Sequence, residues 1–262
     1  MRFSIITVCY NAVHTIEETI LSVQRQTFKD YEHIIIDGGS TDGTLEIIDK
    51  YREKFSVVVS EPDRGIYDAM NKGIFFSKGT FIAMLNADDY YLDDALEVMY
   101  SKIKKSNLYE NIVYYGNLIV FDQKIEDGYV VKPLLPNKLN EFMCLNHPTC
   151  FVSRNLYQTF SYNIQYKTAA DQDLFLRFWR RGNARFIYLN SEITAMKKGG
   201  ISSKFSSFFE IWEIQRTNEV SFFIRVKSFM MNLFFFIANK LPMNNILKFI
   251  YKKFLSKKHV KF

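Results

Sequence analysis

Gly79-Thr80-Phe81-Ile82-Ala83-Met84-Leu85-Asn86-Ala87-Asp88-Asp89 is the stretch on which the reading of this chain turns. Residues 81–85 form a short apolar run, suited to a strand buried on both faces of a parallel sheet. Asn86, Asp88 and Asp89 follow at its end. Two adjacent carboxylates beside a buried strand are costly unless a cation neutralises them. Hard divalent ions such as Mg²⁺ take one or two carboxylates together with phosphate oxygens, so the pair reads as a metal–diphosphate site. The competing reading is a pair of helix-capping acids.

Upstream, strand and helix signals alternate. Residues 3–8 (FSIITV) and 33–36, ending on Asp37, read as strands, as do residues 56–59. Val13, Ile16, Ile20 and Val23 recur at helical spacing, with Asn11 as the expected cap and Glu17 and Glu18 at the favourable N-terminal end. GGSTDG (38–43) is a polar turn leading into a helix over 44–51, and a further helix is expected over 66–76. The βαβαβαβ order predicts an α/β fold with a mostly parallel central sheet flanked by helices. Ligands of such sheets bind at the carboxyl ends of the strands, here residues 7–11, 37–42 and 86–89. DGGSTDG alone is ordinary Asx-turn chemistry. No GxGxxG follows the first strand, which argues against a dinucleotide site. Downstream, a strand over 114–121, a hairpin at Asp127-Gly128, a loop punctuated by Pro133 and Pro136, and helices over 155–160 and 171–179 are expected; a helix also starts near Leu92.

The chain has 262 residues, 48% hydrophobic and 24% charged, enough for a sizeable core and too apolar for general disorder. Cys9, Cys144 and Cys150 are too few and too scattered for a disulfide framework or a zinc ribbon, so three reduced thiols are expected. The opening MRFSIITVCYN lacks the order of a secretory leader, and a cytoplasmic protein is expected. The net charge of +6 is uneven. Residues 220–262 carry nine Lys/Arg and no acid, leaving 25 basic against 28 acidic residues before them, a net of −3. The body is mildly acidic and the tail strongly basic, which directs an anionic partner to the tail.

Taken in order, TVCYN (7–11), DGGSTDGT (37–44), DRGIYDAMNKGI (63–74) and GTFIAMLNADD (79–89) resemble the nucleotide-sugar domain of inverting family-two glycosyltransferases with the GT-A fold. HPTCFVSRNLY (147–157), AADQDLFLRF (169–178) and KKGGIS (197–202) resemble the acceptor half of bacterial members that build capsule, exopolysaccharide or lipopolysaccharide, so that about four fifths of the chain is covered. The resemblance implies a domain over 1–205, with a nucleotide-sugar half to about 110 and an acceptor half over 111–205, followed by a helical tail over 206–262. It places Thr7 and Tyr10 along the nucleobase and makes Asp37 the acceptor of a hydrogen bond from a uracil-like ring. Arg64, Asp68, Asn71 and Lys72 fall in the segment passing near the donor. Asp88 matches the last acid of the DxD motif, holding Mn²⁺ or Mg²⁺ on the diphosphate. Asn86 replaces the first acid, offering a ribose hydroxyl a hydrogen bond but no charge. Asp171 matches the catalytic base, with Ala170 where the family often has Glu. His147 and Lys197 are candidates for contact with donor phosphate or acceptor.

These roles suit an inverting transfer of sugar from a nucleotide-diphosphate donor to a saccharide or lipid-linked acceptor. One carboxylate deprotonates the attacking hydroxyl on the face opposite the leaving group. The transition state is oxocarbenium-like, and a metal ion stabilises the departing diphosphate. In the tail, residues 229–238 are nearly apolar but too short to span a bilayer, and Ile246, Phe249, Ile250 and Phe254 recur at helical spacing among Lys248, Lys252 and Lys253. A basic amphipathic helix lying on anionic lipid at the inner face of the cytoplasmic membrane is the expectation. The alternatives are a helix packed on the body or a homodimer interface. No nucleic-acid motif is present. Two other readings of the whole remain. One is a nucleotidyltransferase, whose Gly-rich basic loop TVCYNAVHT does not supply. The other is a non-catalytic saccharide- or lipid-binding relative, against which the retention of Asp88 and Asp171 argues.

Overall fold

Strand β1 (Phe3–Cys9) is buried along all seven residues, as its unbroken apolar and β-branched sequence requires of a central strand. The computed structural model describes residues 2–198, 206–240 and 259–261. Helix α1 (Ile16–Gln24) leads to β2 (Tyr31–Asp37), α2 (Thr44–Lys50) to β3 (Val57–Ser60), and α3 (Ile66–Phe76) to β4 (Phe81–Asn86). The four strands lie in the order β3-β2-β1-β4, all parallel. Their register sets Cys9 beside Asp37, Asp37 beside Ser60, and Val8 beside Asn86. The polar strand ends therefore open along one edge, where an open parallel sheet takes its ligand.

Asn11 does not cap α1, contrary to expectation. Its backbone sits at φ 49°, its N–H donates to Ser40 Oγ at 2.8 Å, and its Oδ1 accepts from the Thr41 N–H at 2.9 Å. The polar turn after β2 thus captures the side chain that a helix start would have used, and α1 begins only at Ile16.

Beyond β4 the sheet becomes mixed. A short strand, β5 (Asp89–Tyr91), starts on the second carboxylate. Helix α4 (Ala95–Ser106) returns the chain to β6 (Ile112–Phe121), and β7 (Tyr129–Val131) folds back on β6 across the expected turn at Asp127-Gly128. Strand β8 (Phe151–Ser153) inserts antiparallel between β4 and β6. After α5 (Arg154–Thr159) and α6 (Ala170–Arg180), the long β9 (Arg185–Lys197) runs parallel to β6 and pairs antiparallel with β5, Asp89 facing Met196. The Thr19 hydroxyl donates to the Asp89 carbonyl at 2.8 Å, so both α1 and β9 fix the segment that carries the carboxylates.

The larger core lies between the sheet and α3, α5 and α6, with Ile6, Met84, Phe175 and Phe178 at its centre. Each such side chain contributes about 1.5–3 kcal/mol by leaving water. Helix α7 (Ser206–Thr217) and the first turns of α8 (Phe222–Lys240) join this core. Ile214 is fully buried, Gln215 Nε2 donates to the carbonyls of Asn140 and Glu141, and Asn218 Nδ2 donates to Asp173 Oδ1 at 2.9 Å. The short strand β10 (His259–Lys261) adds antiparallel to β7. The expected amphipathic helix around residues 246–254 lies outside the described residues.

Candidate active site

A cleft of about 490 Å³ opens where β1 and β4 end and α3 begins. Its volume suits a nucleotide-sized ligand. Tyr10, Asn86 and Asp88 line it, together with Asp63, Gly65 and Ile66. Tyr10 is 65% exposed, presenting an aromatic face on which a base can stack.

Asp88 stands exposed at the end of β4 and takes no side-chain partner among the described residues, although burial of its carboxyl raises it above its ordinary value. Asp89 points the other way and is 1% exposed. Burial, then the neighbouring Asp88 charge, push it well above the carboxylate range. Asn86 Nδ2 donates to Asp89 Oδ2 at 3.2 Å. Asn86 Oδ1 and Asp89 Oδ1 are buried and without a donor among the described residues. The orphaned Asn86 oxygen lies beside the Asp88 carboxylate in the cleft lining, an oxygen pair that fits a hard divalent ion completed by phosphate oxygens. No group of three or more acidic, His or Cys side chains among the described residues is placed to hold a metal ion, so the protein alone would supply few charged ligands.

Two sequence candidates for the base subsite face inward. Thr7 is fully buried, with its hydroxyl 2.9 Å from His33 Nε2. The lining of the cleft begins one residue later, at Val8, and does not include Thr7. Asp37 is also fully buried. It accepts from the N–H groups of Gly39 and Ser40 at 3.0 Å, from the Ser40 hydroxyl, from Ser60 Oγ at 2.7 Å and from Cys9 Sγ at 3.6 Å. Burial alone would raise this carboxyl; the hydrogen bonds from Ser40, Ser60 and Gly39 outweigh it and hold it below its ordinary value. Gly39 adopts φ 83° to bring its N–H round, a conformation that favours glycine. A carboxylate has about four lone-pair sites, and here they are filled by the chain itself.

The carboxylate that does face the cleft is Asp63. Its Oδ1 accepts from the Gly65 N–H at 2.7 Å, while its Oδ2 leans over Gly38, where a Cβ would come within 2.6 Å of it. Gly38 has no side chain because Asp63 occupies that space, beside the ring of Tyr10. The sequence reading missed Asp63; the glycine pair that made room for it was the available signal.

The segment after Asp63 divides between surfaces. Arg64, Asp68 and Asn71 line a second, polar groove of about 760 Å³ between α3, the loop before α6, and α7. Arg64 pairs with Asp68 at 3.2 Å. Asn71 is committed to the backbone of Tyr162, donating to its carbonyl at 2.9 Å and accepting from its N–H at 3.0 Å. Lys72 pairs with Glu61 at 2.8 Å. None of these four residues lines the first cleft, and Arg64 is the one whose charge projects into solvent, its side chain being 73% exposed.

Asp171 lies in the first turn of α6. Its Oδ1 accepts from the Gln172 N–H at 2.8 Å and from the Tyr67 hydroxyl at 3.4 Å. Tyr67 is the residue after Ile66 of the cleft wall, so α3 joins the two places. Burial, then the Asp171 charge, raise the Tyr67 phenol, which stays protonated and donating. Tyr67 stacks on Tyr162 at 5.5 Å, and the Tyr162 hydroxyl meets His147 Nε2 at 2.8 Å. Burial lowers the imidazole of His147, opposed in part by Asp171, so His147 is neutral near pH 7. Lys197 stands exposed at the end of β9, in register with Phe121, and lines neither the cleft nor the second groove.

The profile of the glycosyl transferase family 2 matches residues 4–163. The hyaluronan synthase of Pasteurella multocida is 31% identical over 205 residues, 74% of this chain but 21% of that protein. The chain thus spans about a fifth of the synthase, and similarly of the chondroitin synthase of the same species, which is 32% identical over 69% of this chain and 19% of its own length. WfgD of Escherichia coli, a UDP-Glc:α-D-GlcNAc-diphosphoundecaprenol β-1,3-glucosyltransferase, is 28% identical, with 80% of this chain and 84% of that one covered. Among solved structures, residues 1–349 of S. aureus TarS in complex with UDP-GlcNAc align with a TM-score of 0.69 at 19% identity, covering 93% of this chain and 77% of that one. The mannosyltransferase PcManGT of Pyrobaculum calidifontis, in complex with GDP-Man and Mn²⁺, aligns at 0.58 and 13% identity, covering 98% and 80%. The structural likeness is one of fold, the GT-A architecture expected from the motifs. Since the family profile spans more than half of the residues and includes the strand ends that form the cleft, this chain belongs to the glycosyl transferase family 2.

Proposed function

We propose that this protein transfers a hexosyl or N-acetylhexosaminyl unit, with inversion, from a UDP-sugar to a hydroxyl of a saccharide or lipid-linked acceptor in bacterial surface-polysaccharide synthesis. The observation that carries the reading is the unpaired Asp88 carboxylate at the cleft floor, beside the orphaned oxygen of Asn86. These residues would hold Mn²⁺ or Mg²⁺, which when bound neutralises charge on the donor diphosphate. The uracil ring stacks on Tyr10, and its N3–H is accepted by Asp63, the half-buried carboxylate free for that contact, rather than by Asp37.

Asp171 acts as base. It takes the proton of the acceptor hydroxyl as that oxygen forms its bond to the anomeric carbon, and the bond from that carbon to the diphosphate oxygen breaks on the opposite face. The Tyr67 hydroxyl orients the carboxylate, and neutral His147 holds Tyr162, and through it Tyr67, in place. The resemblance to WfgD supports a lipid-diphosphate acceptor.

We place the enzyme at the inner face of the cytoplasmic membrane. No described helix is long and apolar enough to cross a bilayer. On α8, Phe222, Phe223 and Met230 are 58%, 84% and 58% exposed, beside Arg225 and Lys227. Lys227 is already paired with Glu141 at 2.8 Å, so most of the attraction to lipid falls to the lysines from Lys240 onward.

Calorimetry on Asp88→Ala tests the site. Titration with UDP in Mn²⁺ should show affinity reduced by about tenfold or more, the scale of a charge-assisted contact, with folding intact. Unchanged affinity would remove Asp88 from the donor site.

A further inference from the structure

The loop that delivers Asp171 is held from a distant helix. Glu210, on α7, accepts the Lys167 N–H at 2.8 Å through Oε1. Through Oε2 it accepts the Thr168 N–H at 2.8 Å, the Thr168 hydroxyl at 2.8 Å and the Ala169 N–H at 3.1 Å. Both oxygens of one side chain are thus spent on three consecutive residues that end two positions before Asp171. Ala169 caps α6 without any side-chain hydrogen bond of its own. A helix start leaves N–H groups without intrahelical partners, and the partial positive charge there favours an anion. Glu210 meets both needs from 41 residues away in the sequence. The other side of the loop is tied to the donor side, the Lys167 ammonium donating to the carbonyls of Arg64 and Ile164 at 3.0 Å. Residues 167–169 therefore form a strap between α7 and the segment beside the donor cleft.

We infer that Glu210 is a positioning residue for transfer: by clamping residues 167–169 it fixes the depth and direction from which the Asp171 carboxylate meets the acceptor hydroxyl. The inference rests on the reading of Asp171 as base. Glu210 itself touches no substrate. A base displaced by about 1 Å can cost 10²-fold in rate, so loss of the clamp is felt in turnover. Donor binding, made by the residues lining the first cleft, none of which Glu210 or residues 167–169 supply, is spared. Helix α7 thereby belongs to the catalytic body.

A double-mutant cycle on the full chain tests this. Glu210→Ala should lower kcat for transfer by about 10²-fold, leave the dissociation constant for UDP within about twofold, and leave the far-UV spectrum unchanged. Glu210→Gln keeps one acceptor oxygen and should recover about tenfold of that loss. In an Asp171→Asn background, where the group being positioned is disabled, Glu210→Ala should change the residual rate by less than about threefold. Glu213→Gln, on the same helix but paired outward with Arg216, serves as the control. If Glu210→Ala does not fold, Thr168→Val removes only the hydroxyl bond and should cost kcat about threefold at unchanged UDP affinity. Equal losses in both backgrounds, a fall in UDP affinity matching the fall in rate, or an unaffected Thr168→Val would overturn the inference. Near-normal turnover in Asp171→Asn alone would instead overturn the assignment of the base, and the role of Glu210 with it.

Discussion

Five donors converge on Asp37, whereas Asp63 offers the cleft an oxygen that nothing in its immediate turn uses. Two acids a short distance apart are thereby given different work, and substitution should separate them. Asp37→Asn places an amide NH₂ against N–H and O–H donors and should cost about 2–3 kcal/mol in urea denaturation. The Asp37 carboxyl is lowered in the fold from an ordinary value of 3.8. Its contribution is complete above that unfolded value and is lost as pH falls through the lower folded value. The stability gap between wild type and Asp37→Asn should therefore be constant near neutrality and close only in acid. Asp63→Asn should leave stability alone, weaken UDP by about tenfold and narrow the preference for UDP over CDP, whose ring has no proton at N3. A stable Asp37→Asn protein with impaired UDP binding would restore the base contact to Asp37. The motifs pointed to Asp88 and Asp171 because each occupies a marked place, a strand end and a helix start. They did not reveal that Thr7 faces His33, since strand alternation is invisible in a run apolar on both faces, nor that Asp63 fills the space above Gly38.

At the level of elements, β1 to β4 and α1 to α4 were readable because each strand is a short β-branched run closed by a turn. The missed strands have other causes. β5 has three residues and begins on an acid, and β9 carries Arg185, Asn190, Ser191 and Glu192 within a register interrupted near Asn117. Both owe their conformation to partners remote in the chain, which no local pattern encodes. The tail shows the same limit. Composition marked it as basic and aromatic, but Ile214, Gln215 and Asn218 pack α7 into the body through contacts with residues 140, 141 and 173. The lipid-facing role proposed for the tail is therefore confined to α8 and the basic residues C-terminal to it. Full-length protein should float with anionic liposomes and be released as salt rises, since exposed charges are screened. Replacing Phe222 and Phe223 by Ser should weaken flotation without altering UDP affinity. Flotation unaffected by salt and by these substitutions would assign the exposed aromatics to a protein contact.

Across the whole molecule, α3 is the element that joins the two halves of the chemistry. Its first residues wall the donor cleft, and Tyr67, in its first turn, touches the proposed base. A mildly acidic body with a basic tail suits the proposed donor, held through a cation, and the proposed lipid-linked acceptor. Release of nucleoside diphosphate from a panel of UDP- and GDP-linked hexoses and N-acetylhexosamines, followed in Mn²⁺ and in EDTA with wild type and Asp171→Asn, tests this account most directly. The account predicts that a UDP-sugar is consumed, that EDTA stops its consumption, and that Asp171→Asn binds UDP normally but turns over about 10²-fold more slowly. Indifference to every nucleotide sugar in the panel, or equal rates in Asp171→Asn and wild type, would contradict it.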